Sequence, residues 1–143
     1  MTRQEVEQTA FAAMSTGYNC AETILHMAIS HFGLADAGVS TRIATCFGGG
    51  IGRSHDGMCG ALSGSIMALG LAYGRDVADQ PPPVGLDMAA EFRKRFIARF
   101  GSSCCRELLD RFGPQQSWTA CKRLVADTAG MLHETLMEQR RSR

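Results

Sequence analysis

The 143-residue chain has little imbalance of charge, few aromatic residues and few prolines. Fifteen basic residues against fourteen acidic ones leave a formal net charge of +1. A general nucleic-acid binder shows a basic excess or stripe, so that class is excluded. Long apolar runs are missing too. The longest uncharged run, 58–74, is short for a membrane span and contains four glycines and two serines, so a buried helix is expected there and no membrane insertion. Residues 1–7 lack the apolar stretch and cleavage site of a secretory signal, which points to a cytoplasmic protein with reduced thiols. No run alternates apolar and polar residues with period two, so no strand is expected. No Cys-x-x-Cys pair occurs, which excludes zinc ribbons, thioredoxin-like motifs and the common ferredoxin spacings. No Cys-x-x-Cys-His occurs either, so no covalent haem is expected. There is no nucleophile elbow, no histidine pair at metal-binding spacing and no carboxylate pair that stands out.

The length fits one domain, at roughly 150 residues per domain. Helix signals recur along it. Thr2 with Glu5, and Asn19 with Glu22, have capping-box spacing, and Gly17-Tyr18 separates the two helices they open. Ser40 caps a short helix through Phe47, and Gly33 ends the helix before it. A central helix over 58–73 has no face that reads as solvent. Asp87 caps a helix whose apolar side holds Met88, Phe92, Phe96, Ile97 and Phe100. Ser102 or Ser103 caps a short helix ended by Gly113-Pro114. Ser117 caps the last helix, with Leu124, Val125, Thr128, Leu132 and Leu136 on its apolar side. The tail 140–143 is expected to fray. The fold class is therefore all-α, a compact bundle of six or seven helices around the central one. On that helix Gly60, Gly64, Ala68 and Ala72 fall every four residues, a stripe that lets another backbone approach closely. The stripe serves an intrachain crossing or a homodimer.

The six cysteines are Cys20, Cys46, Cys59, Cys104, Cys105 and Cys121. Cys20, Cys59, Cys105 and Cys121 fall in or just past the first turns of four separate expected helices. Free N–H groups and the positive end of the helix dipole favour anions there, so these thiols are expected to gain thiolate character. Thiolate is the form that binds metal or attacks a disulfide. Cys46 and Cys104 read as packing or accessory residues. The run Gly48-Gly49-Gly50-Ile51-Gly52 matches neither a dinucleotide fingerprint nor a P-loop, so no nucleotide is expected. Its expected use is to bring backbone close to the Cys59 helix start, with Gly49, Gly50 and Gly60 beside the sulfur. Arg53 and His55 can meet an anion or tune a thiolate, or remain solvated. His26, His31 and His133 read as structural or exposed.

Cys59-Gly60-Ala61-Leu62-Ser63-Gly64 resembles the Cys-Gly-Ala-x-x-Gly motif of the redox-active C_GCAxxG_C_C family. Cys20 in Gly17-Tyr18-Asn19-Cys20-Ala21-Glu22 resembles that family's first cysteine. Cys105 in Cys105-Arg106-Glu107-Leu108-Leu109 and Cys121 resemble the third and fourth. The family in turn resembles a domain of split-Soret cytochromes, which bind haem and an iron–sulfur centre, and only the sulfur-rich part carries over to this chain. The resemblance implies a redox-active protein in which Cys20, Cys59, Cys105 and Cys121 bind an iron–sulfur cluster or other metal for electron transfer with an unidentified redox partner. The alternatives are a metal-free thiol/disulfide oxidoreductase and a helical interaction module with structural zinc or inert cysteines.

Overall fold

Local capping sets where the first helices begin. In the computed structural model, which describes residues 1–35 and 38–142, α1 spans Arg3–Ser15 and α2 spans Cys20–His31. Both open with complete capping boxes. Thr2 Oγ1 accepts from the Glu5 N–H, Asn19 Oδ1 accepts from the Glu22 N–H, and each glutamate carboxylate accepts from its cap's own N–H. Ser40 caps a short 3-10 helix, Thr41–Phe47, through its hydroxyl. The remaining helices are α3 (Gly60–Tyr73), α4 (Val84–Phe100), α5 (Cys105–Phe112) and α6 (Thr119–Arg141). The described residues form no named strand. An isolated antiparallel bridge joins Met58 to Cys104.

Helix α3 sits at the centre, packed against α2, α4, α6 and the 3-10 helix. Its flank is almost wholly buried, with Gly70 its one exposed position. The small-residue stripe faces α2. A β-carbon at Gly60 would overlap the Cys20 sulfur, and one at Gly64 would stand 2.8 Å from the Ala21 carbonyl oxygen. The stripe therefore serves an intrachain crossing. Ile24 and Met27 of α2, Leu62 and Leu69 of α3, and Phe92 and Phe96 of α4 fill the core. Helix α6 contributes Leu124, Val125, Thr128, Leu132 and Leu136, all buried as its spacing predicts. Arg3 ties α1 to α6, donating to Glu7, Asp127 and Glu134.

Several boundaries differ from the sequence reading. Helix α3 begins at Gly60 rather than Met58, because the Met58–Cys104 bridge holds the preceding segment extended. Helix α4 begins at Val84, with Pro83 at the cap position and Asp87 inside the first turn. Neither Ser102 nor Ser103 occupies the cap of α5. Cys104 does, and the Ser102 hydroxyl accepts from its N–H at 3.0 Å. Ser117 does not cap α6 either, since Trp118 holds that position in left-handed backbone. Arg140 is not frayed, because its guanidinium donates to the Phe32 carbonyl at 2.6 Å. Arg143, the last residue of the expected loose tail, lies outside the described residues. No described helix is long and apolar enough to cross a membrane.

Candidate functional site

Four helix starts meet around one cavity of about 470 Å³. Cys20 is the first residue of α2, Cys59 the cap residue of α3, Cys105 the first residue of α5 and Cys121 the third of α6. All four line the cavity, as do Gly49, Arg53, His55 and Gly60. Cys46 is exposed, and neither it nor Cys104 lines the cavity. Gly50 also lies off the wall, but its α-carbon abuts the Cys105 side chain so closely that an added β-carbon would overlap it. The rest of the wall is largely apolar, with Leu108, Leu109, Phe112 and Val125 among its residues.

Short backbone bonds hold this arrangement. The segment before α3 runs alongside the segment before α5. The Cys59 N–H donates to the Ser103 carbonyl at 2.7 Å, the Cys105 N–H to Gly57 at 2.9 Å and the Arg106 N–H to His55 at 2.8 Å. The Arg106 guanidinium then reaches back to the Asp56 carboxylate and the Ser54 carbonyl. On the α2 side, the Asn19 amide donates to the Thr45 carbonyl and the Thr45 hydroxyl to Glu22.

The glycine run folds into an unforeseen shape. Residues 49–53 all have positive φ, from 59° to 70°, and make one left-handed turn. Glycine adopts that backbone at little cost, whereas Ile51 and Arg53 each pay about 1–2 kcal/mol for it. His55 and Trp118, which also line the cavity, are left-handed as well.

The expected gain of thiolate character is overturned at Cys59, Cys105 and Cys121. Burial pushes Cys59 up to about 12, and repulsion from Cys20 adds to it; the N–H groups of Ala61 and Leu62 pull the other way and lose. Burial pushes Cys105 up to about 11, with further repulsion from Cys20, Cys121 and Cys104 against a small opposing pull from Arg106. Cys121 is also raised, again mainly by burial. The helix-start donors act as expected, but loss of water outweighs them. Cys20 acts electrostatically on all three others, so the four thiols form one coupled group.

One polar partner escaped the sequence reading. The Gln115 side chain accepts from the Cys121 N–H at 2.9 Å and donates to the Cys121 sulfur at 3.2 Å. It performs the capping expected of Ser117 and also donates a hydrogen bond to a cavity thiol. The signal was a glutamine six residues before the cysteine, a spacing no standard capping rule covers. The histidines follow expectation in part. His26 stacks on Tyr18, while His133 packs against Phe32 with its Nδ1 buried and unpartnered.

Among the described residues, no three His, Cys, Asp or Glu side chains are grouped tightly enough to hold a metal ion. Searches of curated proteins and of solved structures return no match for the chain. One family profile matches residues 18–135, that of the family described as "Putative redox-active protein (C_GCAxxG_C_C)". The match takes in all four cavity cysteines and most of the chain, and the protein belongs to the C_GCAxxG_C_C family.

Proposed function

We propose that Cys20, Cys59, Cys105 and Cys121 hold an iron–sulfur cluster and that the protein is an electron carrier. The observation that supports this is the lining of one largely apolar cavity by four thiols from four separate helices. Four thiolates are the usual ligand set of such clusters. A single zinc ion needs its thiolates about 2.3 Å from one point, and among the described residues no three potential ligands are so grouped, whereas a cluster spreads its four thiolates over several irons. Metal-free disulfide exchange needs an accessible thiolate, and burial opposes one at Cys59, Cys105 and Cys121. When bound, the cluster would accept and release single electrons. The chain's own groups would orient and tune it. Gln115 donates to the Cys121 sulfur, the N–H groups of Ala61 and Leu62 act on the Cys59 sulfur, and the apolar wall limits water. The three raised thiols would surrender protons on ligation, so loading would strengthen as pH rises. The reading places the protein in a compartment that keeps thiols reduced and pairs it with an unidentified redox partner.

The test is anaerobic loading with ferrous iron and sulfide, followed by visible spectroscopy and iron and sulfide analysis. Wild type, Cys46→Ser and Cys104→Ser should carry the same iron and sulfide, and a serine at Cys20, Cys59, Cys105 or Cys121 should reduce or abolish both. A colourless wild-type protein would refute the cluster. If that protein instead gave a defined dithiol potential, the oxidoreductase reading would replace it.

A further inference from the structure

The cavity has room and charge for more than sulfur. Its volume of about 470 Å³ lies within the range of small-molecule sites, about 300–1,000 Å³. Its lining includes the cations Arg53 and Lys122 and no aspartate or glutamate. Arg3, Arg99 and Arg106 are each paired with a carboxylate. Among the described residues, no ion pair or side-chain hydrogen bond engages Arg53 or Lys122. Two cations without a carboxylate partner therefore line one largely apolar cleft, where an anion is attracted more strongly than in open water. Arg53 is also presented on left-handed backbone, a costly conformation for a side chain that does nothing. Trp118, held the same way, puts an indole at 55% exposure on the same wall.

We propose that this cavity binds a small organic carboxylate, its acid group held by Arg53 and Lys122 and its apolar body against Leu109, Phe112 and Trp118. A guanidinium matches a planar carboxylate through two parallel N–H bonds, and an ammonium adds a compact second charge. The largely apolar wall suits a hydrocarbon body. The proposal rests on the thiol-lined cavity being the working site, and it needs no cluster. The ligand would lie beside the four thiols, as a substrate or effector of the redox centre would.

Trp118 is the chain's one tryptophan, so its fluorescence reports on this wall alone. The test uses the metal-free full chain with 2-naphthoate as probe and 2-naphthamide as its neutral counterpart, followed by Trp118 quenching and calorimetry. Naphthoate should saturate and bind roughly tenfold more tightly than the amide, and Arg53→Gln or Lys122→Gln should each weaken it by roughly tenfold, as loss of a charged hydrogen bond does. Amide binding should not change in either variant. Arg93→Gln, on the exposed side of α4, should leave naphthoate binding unchanged. Equal affinity for acid and amide, absence of saturation, or equal losses in all three variants would overturn the proposal. The acid–amide comparison is made on wild type, so it holds even if a variant fails to fold. Iron and sulfide content decides the cluster and binding to metal-free protein decides the carboxylate, so either can fail alone.

Discussion

Replacing Gly64 by alanine tests the crossing that brings α2 and α3 together, and Gly70→Ala is its internal control. Both positions lie in α3, so both substitutions gain the same helix preference, about 1 kcal/mol. Nothing lies within 4 Å of a β-carbon at Gly70. Gly70→Ala should therefore stabilise the fold by about 0.4–1 kcal/mol. At Gly64 the new carbon would stand 2.8 Å from the Ala21 carbonyl oxygen and 3.0 Å from the Ile24 β-carbon. Neither atom can swing aside as the end of a flexible side chain would, so the helices must separate. Overpacking of this kind costs about 1–3 kcal/mol. The difference between the two variants should thus be about 1–3 kcal/mol, several degrees in Tm for a domain of this size. Urea unfolding followed by circular dichroism measures it. If Gly64→Ala proved as stable as Gly70→Ala, the close crossing would be wrong, and with it the seat of the Cys20 sulfur on Gly60.

Three further outcomes follow from the thiol environment. Cys59 and Cys105 titrate at about 12 and about 11 in the folded chain, above the ordinary 9.0. Unfolding lets them lose protons earlier, so the unfolded state binds fewer protons from about pH 9 upward and stability declines until about pH 12. The urea midpoint should fall across that window, and less steeply in Cys59→Ala; equal slopes would contradict the burial argument. At neutral pH, alkylation mapped by mass spectrometry should mark exposed Cys46 well before Cys59. Gln115→Glu keeps the acceptor for the Cys121 N–H but loses the donor to its sulfur. It should raise the pH at which Cys121 is alkylated, whereas Gln115→Leu should also lower stability by about 1 kcal/mol, as loss of a helix cap does.

Features governed by near neighbours were legible in the sequence. Thr2 with Glu5 and Asn19 with Glu22 form their caps within four residues, so spacing alone placed α1 and α2. The Gly60–Gly64 stripe was legible because one helix period puts both on a single face. Grouping the four cysteines needed only their common position at helix starts, and the fold brings all four to one wall. What failed depended on tertiary surroundings. Thiol acidity turned on burial, which spacing does not encode. The cap of α6 came from Gln115, ahead of a left-handed Trp118 that no propensity favours. The left-handed turn over 49–53 includes Ile51 and Arg53, held there by hydrogen bonds to the surrounding loop.

The order of the cysteines along the chain has a consequence for biosynthesis. Cys20 leaves the ribosome early, and Cys121 only once α1 to α5 are complete. At about 5–20 residues per second, the first thiol waits several seconds for the last. During that interval the nascent chain offers Cys20, Cys46 and Cys59, then the adjacent pair at 104–105, and never the full wall. A chain ended after α5 would keep three of the four cavity cysteines and lose the long helix that packs on α1. The full thiol wall therefore exists only once α6 has begun, and a group held by all four thiols is acquired no earlier than that.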